Sequence, residues 1–171
     1  AIAEEFGAVI GHFEWCDDFS AARNASLDLA TGDWVLWVDA DEAVDPGSVA
    51  RIRDAVVRPQ FGGYFVQIEN RLGENGAGDT YVHTPVRLFR RHPEIRFTLR
   101  IHEQIAPSIR RLGLPMATLD GAKIVHYGYA PSVMCEKNKV DRTIRLLERE
   151  MRENPEEPFH HFNLANALTV A

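Results

Sequence analysis

Thr31-Gly32-Asp33-Trp34-Val35-Leu36-Trp37-Val38-Asp39-Ala40-Asp41-Glu42 decides how the fold is read. Residues 34–38 form a continuous apolar run rich in strand formers. A run without alternation is the pattern expected of a central, parallel strand buried on both faces. Just upstream, Phe19, Ala22, Ala25, Leu29 and Ala30 recur near the helical period, with Asp17 and Asp18 placed to cap the helix and Gly32 to stop it. Just downstream, Asp45 and Pro46 supply an N-cap and first-turn signal for a helix reaching about Val57. Helix, strand, acidic loop and helix together make a βα unit of an open α/β sheet. Ligands of such sheets gather at the carboxyl ends of the strands, so the acidic loop lies where chemistry is expected.

Outward from this core, residues 1–7 end at a glycine as a helix does, and the missing beginning of that helix suggests a fragment. Residues 8–15 read as extended. Strands are predicted at residues 64–70, 85–90, 97–105 and 123–127, with a flexible loop at residues 73–78. The last segment is helical: Val140, Ile144, Leu147 and Met151 make one apolar stripe that Asn154-Pro155 ends. A second helix follows. With Pro158 as position 1 of a tetratricopeptide-type unit, His161, Leu164, Ala165 and Leu168 fall on that repeat's signature positions and Pro155 on the closing proline. Glu150 stands where the preceding unit would want a small residue. The expected organisation is therefore an α/β catalytic part over residues 1–130 and an incomplete helical, TPR-like segment over 131–171.

Bulk properties narrow the function. The net charge is -6, whereas duplex binding calls for a basic excess, so nucleic acid is not an expected partner. Cys16 and Cys135 form no CxxC pair, which argues against a zinc ribbon or a disulfide framework and fits a reducing compartment. No apolar stretch approaches the roughly 20 residues that span a bilayer. The expected location is cytoplasmic, or peripheral at a membrane.

Asp39 and Asp41, one residue apart in a loop leaving a strand, can converge on one hard divalent cation, Mg²⁺ or Mn²⁺. Such an ion stabilises the charge of a departing diphosphate by Lewis-acid action. The plainer possibility, capping of the next helix, falls more naturally to Asp45. An EF-hand is excluded because Val44 stands where its loop needs glycine, and no GxxxxGK[ST] loop accompanies the acids. A basic run of Arg87, Arg90, Arg91, His92, Arg96 and Arg100 contrasts with the acidic total. Arg87 and Arg90 are candidates for contact with the diphosphate, against the alternative of a solvated strand face.

Three segments, Trp15-Cys16-Asp17-Asp18-Phe19-Ser20-Ala21-Ala22-Arg23-Asn24, Thr31-Gly32-Asp33-Trp34-Val35-Leu36 and Asp39-Ala40-Asp41-Glu42, together resemble glycosyltransferase family 2. The chain is similar to the bacterial branch with tetratricopeptide repeats after the catalytic domain, which includes lipopolysaccharide-core-type and peptide-modifying transferases. The resemblance implies a GT-A-like, mostly parallel sheet between helices and an inverting transfer. The donor would be a nucleotide-diphosphate sugar, and the acceptor a glycan, lipid-linked or polypeptide hydroxyl. It assigns Asp39 and Asp41 to the metal-diphosphate site, Arg23 and Asn24 to the nucleotide, and His126 to the metal as a third ligand. His102 and Glu103, in Arg100-Ile101-His102-Glu103, match the family's acceptor-side His-Glu, with Glu103 the general base. A zinc protease is excluded because the second histidine of HExxH is absent.

The family's opening strands, which hold base and ribose, do not occur in this sequence. Weak nucleotide binding by this chain alone is therefore expected, as is self-association through an uncovered sheet edge. Two rival classes share parts of the pattern. A sugar-1-phosphate nucleotidyltransferase would need a glycine-rich phosphate loop upstream, and a non-catalytic repeat adaptor would not need the acid cluster.

Overall fold

The computed structural model describes residues 2–72, 80–129 and 137–169, which leaves the loop expected at 73–78 and Cys135 outside the described residues. The elements are α1 (Ile2–Glu5), α2 (Phe19–Asp28), β1 (Trp34–Leu36), β2 (Glu42–Val44), α3 (Val49–Val56), β3 (Gly63–Leu72), β4 (Thr80–His83), β5 (Val86–Arg90), α4 (Ala106–Arg111), β6 (Met116–Tyr129), α5 (Lys137–Glu153) and α6 (Pro158–Thr169). They form two compact units, one of Ala1–Thr31, Arg96–Gln104 and Glu136–Ala171, the other of Gly32–Ile95 and Ile105–Cys135.

The second unit is built on a six-stranded sheet ordered β1-β5-β3-β6-β2, with β4 also paired to β3. The mostly parallel sheet expected from the sequence is not what forms. Among the described strands only β3 and β6 run parallel, and the other pairings are antiparallel, so the sheet is mixed. Nor is β1 a central strand: it stands at one end of this order, antiparallel to β5, with Trp34, Val35 and Leu36 half-buried. Side chains rather than strands account for its unbroken apolar run. Trp34 packs 5.7 Å from the Tyr64 ring, and the Arg90 guanidinium lies 4.8 Å from the Trp34 ring centroid.

Helix α3 covers the sheet, joining Ala55 to Tyr64, Val66, Ile68, Leu88, Ala122 and Ile124 in one core. Each such fully buried large side chain contributes about 1.5–3 kcal/mol through removal from water. The buried Tyr64 hydroxyl donates to the Ala55 carbonyl at 3.0 Å, tying sheet to helix. The helix start is as the sequence predicts, with Asp45 accepting from the Gly47 amide at 3.0 Å and Pro46 in the first turn. A single 3-10 turn precedes the α-helix there.

Two devices hold β6 in place. The buried Ser48 hydroxyl lies 3.2 Å from the Lys123 carbonyl, to which it donates, and accepts from the Lys123 amide at 2.9 Å. Between the pairs Phe65↔Thr118 and Gln67↔Lys123, β6 advances five residues while β3 advances two, so the strand bulges. Gly121 takes a positive φ of 72° inside that bulge, a conformation disfavoured for residues with a Cβ.

In the first unit, Asp18 caps α2 by accepting from the Ala21 amide at 2.9 Å. The segment expected as a strand at 97–105 is instead a loop, closed by one antiparallel bridge between Thr98 and Gln104. Two residues in it, Leu99 (φ 77°) and His102 (φ 55°), are left-handed, which breaks a strand outright. Residues 8–15, expected as extended, pair with no strand among the described residues. Ile101, Leu146, Leu147 and Ala167 form this unit's core, with Phe19, Ile144 and Leu164 packed against it. The stripe predicted on α5 is therefore real at Ile144 and Leu147. On α6, His161, Ala165 and Leu168 are exposed, while His160 and Ala167 are buried. No described helix is long and apolar enough to cross a membrane.

Candidate functional site

The acidic loop runs from β1 into β2, and its geometry is set by a buried ion pair. Both guanidinium nitrogens of Arg87 on β5 meet Glu42, Nη1 to Oε2 at 2.9 Å and Nη2 to Oε1 at 2.8 Å. The side chains are only 7% and 3% exposed, and a buried charge is tolerated only when so matched. Glu42 Oε2 also accepts from the Asp39 amide at 2.8 Å, and the Glu42 amide donates to the Asp39 carbonyl at 3.0 Å, so the loop is pinned as a tight turn. The Arg87 guanidinium stacks 4.1 Å from the Trp37 ring centroid, and the Trp37 indole N–H donates to Asp39 Oδ1 at 3.1 Å.

Asp41 is held differently. Its carbonyl accepts from the Tyr127 amide at 2.9 Å, continuing the β2·β6 pairing in which Glu42 faces His126. Asp41 Oδ2 then lies 3.1 Å from His126 Nε2, on the rim of the sheet, with the aspartate 53% exposed. The opposite ring nitrogen of His126, Nδ1, is 2.8 Å from Oδ1 of buried Asn70 on β3. The Asn70 amide nitrogen donates to the Tyr81 carbonyl at 2.9 Å and lies 3.0 Å from His83 Nδ1 on β4. His83 is exposed overall, but its ring is desolvated beside Asn70. That desolvation, helped by the Arg87 charge, holds its pKa below the ordinary imidazole value.

The structure thus brings together Asp41 and His126, two of the three residues that the resemblance assigns to the metal. A carboxylate and an imidazole suit Mn²⁺, and a carboxylate suits Mg²⁺. Asp39 faces the Trp37 indole and, at 3.5 Å, Arg87. Among the described residues no three His, Cys, Asp or Glu side chains gather into a set that could hold an ion. The donor contacts expected of Arg87 and Arg90 are not what the geometry provides. Arg87 is buried against Glu42. Arg90, an odd number of residues away, points to the other face of β5 and donates to the carbonyls of Phe61 and Pro59, both at 2.9 Å.

In the first unit, Arg23 Nε and Glu103 Oε1 form a close ion pair, with Glu103 only 11% exposed. The two residues expected on nucleotide and acceptor therefore hold each other. Asn24 is a backbone clamp rather than a free amide: its Nδ2 donates to the Phe97 carbonyl at 3.0 Å and its Oδ1 accepts from the Phe97 amide at 2.9 Å. The Ser20 hydroxyl donates to the Leu99 carbonyl at 2.5 Å, and the Arg100 amide donates to buried Glu150 at 2.5 Å, so the 96–104 loop is fastened to both α2 and α5. His102 presents its ring edge-on to Phe159 at 6.3 Å.

Glu42, Asn70 and His83 were not singled out in the sequence. Glu42 was visible as an extra acid in the quoted stretch. Nothing local marks Asn70 or His83, whose partners lie on other strands.

Comparison with known proteins places these residues in context. A family model described as Glycosyl transferase family 2 matches residues 1–115. A TPR repeat-containing protein of Synechococcus elongatus is 34% identical over 164 residues, covering 93% of this chain and 40% of that protein. The SPbeta prophage-derived glycosyltransferase SunS of Bacillus subtilis is 31% identical over 160 residues, covering 87% of this chain and 34% of SunS. Its counterpart in Bacillus phage SPbeta matches equally. The chain therefore spans well under half the length of these relatives.

Proposed function

Because the chain belongs to glycosyl transferase family 2, we propose that it serves an inverting transfer of a sugar from a nucleotide diphosphate to a hydroxyl acceptor. The family implies the GT-A fold, and an α/β chain with a mixed sheet is compatible with it. The observation that carries the reading is the meeting of Asp41 Oδ2 and His126 Nε2 at 3.1 Å on an exposed rim, beside an acidic turn fixed by the Glu42–Arg87 pair. Asp41 and His126 would hold Mg²⁺ or Mn²⁺, which when bound supplies Lewis-acid stabilisation to the leaving diphosphate.

In this reading the chain's own residues divide the work. Asp39, oriented by the Trp37 indole and by the turn, faces the donor diphosphate beside Asp41. Glu103 takes the acceptor's hydroxyl proton as the sugar carbon is attacked, and Arg23 keeps that carboxylate in one orientation. His102, left-handed beside it, lines the acceptor side. The acceptor class is a glycan, a lipid-linked saccharide or a polypeptide.

A screen of nucleotide-sugar donors with Mn²⁺, read as donor hydrolysis and transfer by the full-length protein, tests the proposal. The expected result is turnover that chelation removes and that Asp41→Ala lacks. If no donor is consumed, or Asp41→Ala turns over normally, the reading fails.

A further inference from the structure

Asn70 is 2% exposed and stands at the crossing of three strands, in register with His126 across the parallel pairing and with Tyr81 across the antiparallel one. The geometry points to Asn70 as a positioning residue that fixes the ring tautomer of His126 and thereby turns the Nε2 lone pair toward Asp41.

The assignment follows from which atoms can donate. The Tyr81 carbonyl can only accept, so the Asn70 atom 2.9 Å from it is the amide nitrogen. That leaves Oδ1, an acceptor, 2.8 Å from His126 Nδ1, so Nδ1 carries the proton. A neutral imidazole protonated on Nδ1 has its lone pair on Nε2, the atom 3.1 Å from Asp41 Oδ2. That contact is favourable either with a cation shared by the two atoms or with a second proton on Nε2 that donates to Asp41.

The same amide nitrogen lies 3.0 Å from His83 Nδ1, which must then accept, so His83 carries its proton on Nε2. One side chain sets two histidines in opposite tautomers. Rotating the amide would leave the Tyr81 carbonyl and the His126 N–H unpaired in a buried setting, which is why a single orientation persists. An acceptor for the far N–H of a metal-binding histidine is the usual way a second layer of residues aims the ligand. The functional weight of the inference rests on the reading of Asp41 and His126 as cation ligands.

Long-range proton–nitrogen spectra of ¹⁵N-labelled protein without metal report each tautomer directly. We expect Nδ1–H for His126 and Nε2–H for His83. In Asn70→Ala the His126 preference is lost, and Mn²⁺ affinity measured by calorimetry falls about 10–100-fold, the range for outer-layer partners. Asn70→Asp keeps an acceptor for His126 but no N–H for His83, so His126 stays Nδ1–H while His83 loses its fixed form. Correct tautomers in a wild-type protein that binds no Mn²⁺ uphold the role of Asn70 and remove the metal reading instead. His126 found as Nε2–H in the wild type, or unchanged by Asn70→Ala, overturns the inference.

Discussion

Replacing Glu42 by Ala deletes the two closest acceptors of the Arg87 guanidinium, held at 2.9 and 2.8 Å, and the acceptor of the Asp39 amide. The arginine left behind is 7% exposed and keeps only the longer contacts to the Trp37 carbonyl at 3.4 Å and Asp39 Oδ2 at 3.5 Å. Removing one partner of a buried pair costs about 3–5 kcal/mol, because the remaining charge is uncompensated. For a protein of this size each kcal/mol is worth about 2–4 °C, so the melting temperature drops by roughly 6–20 °C. Glu42→Leu combined with Arg87→Leu removes both charges and recovers most of that loss. Circular-dichroism melts and urea titrations on Glu42→Ala, and on Glu42→Leu, Arg87→Leu and their combination, give the single loss and close the cycle. A loss below about 1 kcal/mol for Glu42→Ala, the size typical of a solvated surface pair, would refute the claim that this pair organises the acidic loop.

Three other outcomes are expected. Asp41→Ala and His126→Ala weaken Mn²⁺ binding to a similar degree, read by calorimetry, and a His126 variant with unaltered affinity removes that ligand. Glu103→Gln in the full-length protein abolishes transfer while leaving donor affinity unchanged, and near-normal turnover excludes it as the base. Lys123 beside Glu69 holds the glutamate carboxyl below its ordinary pKa, and Glu69 in turn holds the lysine above its own. The carboxylate's contribution is present above its unfolded value, about pH 4.3, and is lost as pH falls through the lowered one. The lysine's is present below about pH 10.4 and is lost as pH rises through the raised one. Glu69→Gln should flatten both arms of a stability–pH curve, and an unchanged curve counts against the pairing.

The helices and the acidic turn were readable because their signals are local. Asp18 and Asp45 cap in the positions their spacing gives, and the α5 stripe buries Leu147 and packs Ile144. The direction of the sheet was not readable. Residues 34–38 are apolar throughout, but cations cover part of them, with Arg90 over Trp34 and Arg87 over Trp37, where apolar layers on both faces were expected. Periodicity registers that a face is covered and not what covers it.

Residues 97–105 have strand composition, yet Leu99 and His102 take left-handed backbone that composition does not announce. Such strain is held by fixed partners, here the Ser20 hydroxyl and the Arg100 amide's bond to Glu150. Within the candidate site, Asp41 carried a chemical signature, and His126 was marked only by the family resemblance. Asn70 and His83 became meaningful only once β3, β4 and β6 were aligned, because nothing within a few residues of either reveals its partner.

The five-for-two bulge in β6 separates two lengths of that strand. From Lys123 to His126 the pairing is regular, so deleting one residue between them would swing the imidazole to the opposite face and away from Asn70 and Asp41. The extra residues of the bulge lie at 119–122, where Ala122 still joins the core, and the Ser48 clamp fixes Lys123 directly after them. The bulge around Gly121, followed by the Ser48 clamp, leads us to expect that a one-residue insertion there disturbs His126 less than a deletion after Lys123.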